Sequence, residues 1–164
     1  MFSVRDAVPA DVDTICEFNQ RLALETESRM IPPEVLRGGV LAALTIPDRL
    51  HYWVALTSDD HAQVIGQVAV SYEWSDWRNG WIWWLQSVYV DSDWRGRGVF
   101  RTLLEKIRTD ASIHANVIGL RLYVEHENAP ARATYEKLGF VPAGYEVMEA
   151  MWADATARSH GQPN

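Results

Sequence analysis

The chain has 164 residues, of which 48% are hydrophobic, and this is enough apolar material for one globular domain with its own core. Its formal net charge is −7, whereas proteins that track phosphate backbones carry a basic face, so we expect no nucleic-acid partner. A single cysteine, Cys16, excludes an intramolecular disulfide. The N-terminus shows no signal-peptide pattern, and the most apolar run, 81–90, is too short to span a bilayer. We therefore expect a cytoplasmic protein without a membrane partner.

The first half of the chain reads as strands and helices in alternation. A strand is predicted over 2–7, followed by helices over 9–27 and 34–44. Strands over 52–57 and 63–74 come next, separated by a turn at 58–61. Asn79-Gly80 predicts a tight type I′ hairpin, because that turn needs positive φ at both central residues. The following strand, 81–90, is almost continuously apolar, which predicts a central strand covered on both faces.

The second half predicts a helix over 98–112, a strand over 117–124 and a helix over 130–138 that Gly139 closes. A last strand or pair of strands is predicted over 140–151. We see no linker or repeat, so 1–152 is predicted to be a single domain and 153–164 a flexible tail. This order of elements predicts a mixed α/β fold: a central, mixed and mostly antiparallel sheet with helices on both faces.

The segment 88–101, VYVDSDWRGRGVFR, carries the strongest chemical signal. A strand ends there and a helix begins within a stretch that contains Gly96 and Gly98. The first N–H groups of a helix lack internal partners and carry partial positive charge, and glycines let an anion approach them closely. A nucleotide P-loop and a dinucleotide fingerprint are both excluded, the latter because Arg101 stands where a third glycine is needed. The segment predicts a pyrophosphate site, and a merely tight turn is the alternative.

Two motifs resemble those of the GNAT acyltransferase superfamily. The family's pyrophosphate motif, Arg/Gln-x-x-Gly-x-Gly/Ala, maps onto residues 95–100, with Phe100 where Gly or Ala is usual. The segment 120–140 is similar to the family's second cofactor segment, with a strand, Asn128, a helix that carries Tyr135, and then Leu-Gly-Phe. The resemblance is strong over 82–142 and extends to the first part of the chain only in the order of elements.

The resemblance implies a binding mode for acetyl-CoA, without a metal. Two parallel central strands would splay apart, and main-chain groups of Val88 and Val90 would pair with the pantetheine arm. One of those N–H groups would face the acetyl carbonyl, where negative charge develops during attack. Asn128 would hydrogen-bond near the pantetheine, with capping of the next helix as its alternative role. The pyrophosphate would be held by backbone amides of Arg95, Gly96, Arg97, Gly98, Val99, Phe100 and Arg101.

Tyr135 and Glu73 are the predicted catalytic residues. The resemblance implies that Tyr135 protonates the departing thiolate, a role worth on the order of a hundredfold to ten-thousandfold in rate. A core tyrosine is the alternative. Family members often carry a glutamate that acts as general base near the position held here by Gln86. Because a glutamine side chain cannot accept the proton, Glu73 at the end of the preceding strand is the candidate base. Asp76 and His126 are alternative bases, and Glu73 is otherwise an exposed hairpin carboxylate.

These observations predict an N-acetyltransferase that moves the acetyl group from acetyl-CoA to a primary amine of a small molecule or peptide. Direct attack in a ternary complex is the implied mechanism. A non-catalytic acyl-CoA-binding or sensing module is the alternative that Gln86 keeps open.

Six of the eight tryptophans lie between residues 74 and 94. We expect core packing or a dimer contact for most of them, and an acceptor pocket that suits a cation for the rest. Homodimers are common in folds of this type.

Overall fold

The computed structural model describes residues 2–46 and 48–152, so the predicted tail over 153–164 lies outside the described residues. Two short 3₁₀ turns, Pro9–Asp11 and Ser92–Trp94, precede helices. The strands and longer helices, in chain order, are β1 (Phe2–Asp6), α1 (Val12–Glu27), α2 (Pro33–Thr45), β2 (His51–Thr57), β3 (Val64–Ser75), β4 (Gly80–Val90), α3 (Val99–Ile113), β5 (Val117–Leu122) and α4 (Ala129–Lys137).

The five strands form one sheet in the order β1-β2-β3-β4-β5. The first three pairings are antiparallel, and only β4 and β5 run parallel. Both the mixed, mostly antiparallel sheet and the central place of β4 are confirmed. A parallel pair needs a crossover connection, and α3 provides it between β4 and β5.

Helices cover both faces of the sheet, as predicted. On one face α3 buries Leu103, Leu104 and Ile107 against β2, β3 and β4. Each such fully buried aliphatic side chain stabilises the fold by about 1.5–3 kcal/mol. On the other face α1 and α2 pack through Ile15 and Val40 against a second cluster from β2 and β3. The strands β2 and β3 therefore contribute to a hydrophobic cluster on each face of the sheet.

The β3–β4 hairpin differs from its prediction. Ser75 pairs with Gly80, so the loop has four residues, 76–79, and is not a two-residue type I′ turn. Asn79 has the positive φ of 48°, but Gly80 does not have one. Gly80 is instead required by space, because a Cβ there would lie 2.5 Å from Cγ2 of Ile118 and 2.9 Å from the Asn116 carbonyl oxygen. The glycine permits the close approach of the chain that leads into β5.

The predicted last strand over 140–151 is wrong. Residues 138–152 include no strand, and β5 ends at Leu122 instead of Val124. Pro142 lacks an N–H for a ladder, and Gly144 adopts a left-handed φ of 76°, so the stretch cannot stay extended through both positions. Its large apolar side chains, such as Val147 and Met148, are exposed. A cavity of about 380 Å³ lies open between the end of α3, β5 and Phe140.

No helix within the described residues combines the length and the apolar character needed to cross a bilayer.

Replacing Gly80 by alanine tests the close approach between the hairpin and β5. The added methyl group must displace Ile118 or the backbone at Asn116, and overpacking of this kind costs about 1–3 kcal/mol of unfolding free energy. Gly38→Ala is the control, because nothing lies within 4 Å of a Cβ at this exposed position of α2 and alanine favours the helix there. Urea denaturation measures both variants. Equal stability of Gly80→Ala and the wild type would contradict the contact.

Candidate active site

The parallel ladder between β4 and β5 ends early and leaves a split in the sheet. Pairing runs from Trp81 opposite Val117 to Leu85 opposite Leu122. β4 continues for five more residues to Val90, whereas β5 stops. The two central strands therefore diverge at Leu85, and the second half of β4 has backbone facing a gap where a parallel neighbour would otherwise pair.

A bulge in β4 lies directly at this split. Gln67 pairs with Tyr89 and Ala69 pairs with Gln86, so the single residue Val68 of β3 opposes both Ser87 and Val88. Ser87 adopts a left-handed φ of 49°, which non-glycine residues rarely do. Bulges turn the backbone and re-aim its groups. The predicted pantetheine-binding residue Val88 is thus at the point where the strand bends.

A buried polar network holds the bulge from the side of α1. The fully buried Gln67 donates its amide N–H to Asn19 Oδ1 at 2.6 Å and to the Ser87 carbonyl at 3.2 Å. The Tyr52 hydroxyl, 3.4 Å from Ser87 Oγ, joins the same network. Buried amides that lose a partner cost about 1–3 kcal/mol, so this arrangement fixes the unusual backbone of Ser87. The network could not be predicted from the sequence, because its members lie up to 68 positions apart and no local pattern marks them.

The glycine-rich turn follows the end of β4. Gly96 and Gly98 have φ values of 72° and 89°, and a Cβ at either would meet nothing within 4 Å. These glycines are therefore required by backbone conformation and leave open space above them. Among the described residues no side chain caps α3 at Gly98, and its first turn holds no acidic residue. Such a helix start, flanked by Arg97 and Arg101, fits an anion.

Helix α1 holds the turn through ion pairs. Arg21 donates to Asp91 at 2.9 Å, and Arg95 donates to Glu25 at 2.7 Å. Glu25 also accepts the Tyr89 hydroxyl hydrogen at 3.0 Å. Neither Arg21 nor Glu25 was a predicted site residue, because they lie 70 positions from their partners. The side chain of Arg95 thus points to α1.

Val90, the second predicted partner of the pantetheine, also contacts Arg95. Its carbonyl oxygen accepts a hydrogen bond from Arg95 Nε at 2.9 Å, next to the guanidinium that lies 5.3 Å from the Tyr89 ring centroid. Arg95 therefore braces the end of β4 against α1. In this conformation the side chain of Arg95 is bonded to Glu25 and Val90, so only its backbone groups remain for a ligand in the split.

Asn128 caps α4. Its Oδ1 accepts a hydrogen bond from the Ala131 N–H at 3.2 Å, with Pro130 in the first turn. The capping role that was the alternative for this residue is therefore present in the structure. It leaves the side-chain amide N–H groups of Asn128 for another partner.

Tyr135 lies on α4 and packs between two phenylalanines. Its ring is edge-on to Phe100 at 5.5 Å and to Phe140 at 6.0 Å between centroids. Phe100, the unusual residue of the glycine motif, thus turns toward α4 and away from the helix start. Burial raises the pKa of the Tyr135 hydroxyl, so the phenol keeps its proton at neutral pH. No hydrogen bond to that hydroxyl comes from residues 2–46 or 48–152.

Glu73 lies in a cluster of four side chains, Glu73, Trp84, Arg121 and Tyr123, which we name the Glu73 cluster. The Glu73 carboxylate accepts hydrogen bonds from Trp84 Nε1 and from Arg121 Nη1, the latter at 3.1 and 3.2 Å to its two oxygens. Trp84 stacks on Tyr123 with centroids 4.5 Å apart, and the guanidinium carbon of Arg121 lies 5.6 Å from the Trp84 ring. Arg121 was not among the predicted site residues, because it meets Glu73 across 48 positions of the chain.

The Glu73 cluster is on the face of the sheet that α1 and α2 cover. Alternate residues of a strand share a face, and Glu73 is four positions from Ala69, which packs in the α1–α2 core. Gln86, next to the bulge, donates to Ser71 on the same face. The cluster thus lies beside the split, whereas the alternative base Asp76 is in the exposed hairpin loop and His126 is exposed after β5.

The tryptophans of the hairpin have separate roles. Trp83 is buried in the core and stacks on Trp53 with centroids 6.3 Å apart, which confirms core packing for this tryptophan, whereas Trp81 on the same strand face is 39% exposed. Trp84 on the opposite face belongs to the Glu73 cluster. Trp77 is 85% exposed in the loop.

The split in the parallel strand pair lies beside a glycine-rich helix start whose unpaired N–H groups can hold an anion. The model of the GNAT acetyltransferase family matches residues 17–140. The crystal structure of a possible acetyltransferase from Clostridium difficile 630 is 41% identical, with a TM-score of 0.82, over 93% of this chain and 98% of that one. This chain therefore belongs to the GNAT acetyltransferase family and is an acyltransferase.

Two more distant structures share the fold. A predicted acetyltransferase with acetyl-CoA from Clostridium acetobutylicum is 18% identical, with a TM-score of 0.70, over 92% of this chain and 96% of that chain. A ribosomal-protein-alanine N-acetyltransferase from Brucella melitensis biovar Abortus 2308 is 14% identical, with a TM-score of 0.74, over 93% and 100% of the two chains. No curated protein matches the chain in sequence.

The capping role of Asn128 can be separated from any other role by two substitutions. Asn128→Ala removes the acceptor for the Ala131 N–H, and a lost cap costs about 1 kcal/mol. We expect amide hydrogen exchange over 131–137 to become about fivefold faster, because local opening becomes more favourable by that amount. Asn128→Asp keeps the acceptor and serves as the control with unchanged exchange. Equal exchange rates in both variants would show that the cap contributes nothing.

Proposed function

We propose that this protein is an N-acetyltransferase that moves the acetyl group from acetyl-CoA to a primary amine by direct attack in a ternary complex. The observation that carries the proposal is the coincidence of three features at one place. The β4–β5 split, the bulge at Ser87 and Val88, and the glycine-rich start of α3 follow one another within residues 85–99. Together they offer an extended slot with an anion site at its end.

The backbone supplies the proposed cosubstrate contacts. Main-chain groups of Val88 and Val90 lie along the split, where the pantetheine amides would take the place of a parallel strand. The amides of residues 95–101 surround the open space over Gly96 and Gly98 and would hold the pyrophosphate. At the bulge, a backbone N–H would face the carbonyl oxygen on which negative charge develops, and fixed dipoles of this kind stabilise that charge without reorganisation.

Tyr135 is the proposed general acid. Its ring packs on Phe100 near the start of α3, which supports a position for the hydroxyl at the wall of the slot. Because burial raises its pKa, the hydroxyl holds a proton that it can give to a departing thiolate.

Glu73 is the proposed general base. Its carboxylate is oriented by Trp84 and Arg121, and its side chain is 41% exposed, so an ammonium can reach it from solvent. An amine must lose a proton before it can attack, and Gln86, which is closer to the bulge, cannot accept one.

Binding of acetyl-CoA tests the glycine-rich turn. Gly98→Ala forces an L side chain into a φ of 89°, which costs about 1–2 kcal/mol and re-aims the amides of the turn. We expect the dissociation constant for acetyl-CoA in calorimetric titration to rise about tenfold. Gly38→Ala on α2 is the control with unchanged affinity. A folded wild-type protein that does not bind acetyl-CoA would overturn the proposed function.

Removal of the Tyr135 hydroxyl tests its role as acid. Tyr135→Phe preserves the contacts with Phe100 and Phe140, so we expect an unchanged affinity for acetyl-CoA. We expect kcat for free-thiol release to fall by about a hundredfold to ten-thousandfold. The exposed Tyr145→Phe is the matched control at full rate. Retention of kcat in Tyr135→Phe would assign the residue to packing alone.

A further inference from the structure

The Glu73 cluster borders the split on the face opposite α3. Trp84 is opposite Arg121, one position before the last ladder pair, and Tyr123 follows immediately after that pair. Any molecule that approaches the bulge from the α1–α2 face along β4 therefore passes this cluster. The cluster contains the only ion pair within the described residues that links β3 to β5, between Glu73 and Arg121 on either side of β4.

The charges of the cluster cancel. Glu73 and Arg121 form an ion pair with side chains that are 41% and 25% exposed, so both remain within reach of a ligand. A polyamine or another polycation gains little there, because the attraction of the carboxylate is offset by the guanidinium about 3 Å away. A ligand that carries one positive and one negative group can satisfy both members of the pair.

Part of the Arg121 guanidinium makes no hydrogen bond within the described residues. Its hydrogen bonds to Glu73 come from Nη1, whereas Nε and Nη2 donate to no residue in 2–46 or 48–152. Those two nitrogens form the edge of the guanidinium that binds a carboxylate through two parallel hydrogen bonds. The ring of Trp84, itself stacked on Tyr123, supports the guanidinium, so Arg121 is held in place before a ligand arrives.

We propose that the acceptor is an amino acid, with its ammonium on Glu73 and its carboxylate on the Nε–Nη2 edge of Arg121. The proposal rests on the proposed acetyltransferase function and names its substrate class. The contact of 3.1 Å between Glu73 and Arg121 requires an ammonium and a carboxylate that are separated by only a few bonds, as in an α-amino acid. Trp84 and Tyr123 offer apolar surface to the side chain of the acceptor.

The reaction balances with the groups present. The ammonium gives one proton to Glu73, and the nitrogen then forms the C–N bond to the acetyl carbon as the C–S bond of acetyl-CoA breaks. Tyr135 gives its proton to the sulfur and recovers one as the nitrogen loses its second proton. The products are an N-acetylamino acid, the free thiol of CoA and one proton released to solvent through Glu73.

Free-thiol release from acetyl-CoA tests this inference with common L-amino acids, their methyl esters and spermidine. We expect at least one amino acid to be acetylated, with kcat/KM about tenfold or more above that of its ester, because the ester cannot form the charge-assisted pair with Arg121. In Arg121→Met we expect KM for that amino acid to rise about tenfold to a hundredfold and its advantage over the ester to vanish. Arg121→Lys should recover part of the affinity.

The controls separate this inference from the proposed function. Arg49→Met removes an exposed arginine and should change neither the KM for the amino acid nor the KM for its methyl ester. An unchanged affinity of Arg121→Met for acetyl-CoA shows that the variant is folded. If the wild type binds acetyl-CoA but acetylates no amino acid, or prefers esters or spermidine, the inference is overturned and the acetyltransferase proposal stands. Equal amino-acid kinetics in Arg121→Met and wild type also overturn it. Failure to bind acetyl-CoA overturns both.

Discussion

The early end of the β4–β5 ladder is the constraint on which the rest of the site depends. Past Leu85 the strand β4 has an antiparallel neighbour on one side and a gap on the other. The unpaired backbone N–H and C=O groups of such a strand could pair with another chain unless they were turned away or covered. The bulge at Ser87 changes the direction of these groups, and Gln67 and Asn19 hold the bulge from the side of α1. Each proposed contact with the cosubstrate follows from this one interruption of the sheet.

Helix α1 fixes both the bulge and the C-terminal end of β4. Asn19 reaches the bulge network, and Glu25 and Arg21 reach the residues at the end of β4. The strand, the glycine-rich turn and the start of α3 are thereby held by one helix that contributes no motif of its own. The arrangement separates the two tasks of the site. The α3 side offers backbone N–H groups to an anion, whereas the α1–α2 face offers the charged and aromatic side chains around Glu73.

The sequence predicted local features well where one short segment contained the whole signal. The apolar stripe of α3, the nearly continuous apolar content of β4 and the two glycines before the helix each correspond to elements in the structure. It failed where distant residues decide. Gly80 was assigned to a turn, but its position is set by Ile118 and Asn116 from another strand. The stretch after Phe140 is rich in apolar residues, yet Pro142 and Gly144 interrupt it and no strand forms over 140–151.

The sequence by itself determined the order of elements as far as α4, the glycine-rich helix start and the motifs of the acyltransferase family, because periodicity, glycine placement and motif spacing are properties of neighbouring residues. Only the tertiary structure decided the site around them. Arg121 meets Glu73 across 48 positions, and Glu25 meets Arg95 across 70. Ion pairs and stacked rings between strands depend on sheet register and on which face a side chain takes. A one-residue change of register would send Glu73 or Arg121 to the other face of the sheet.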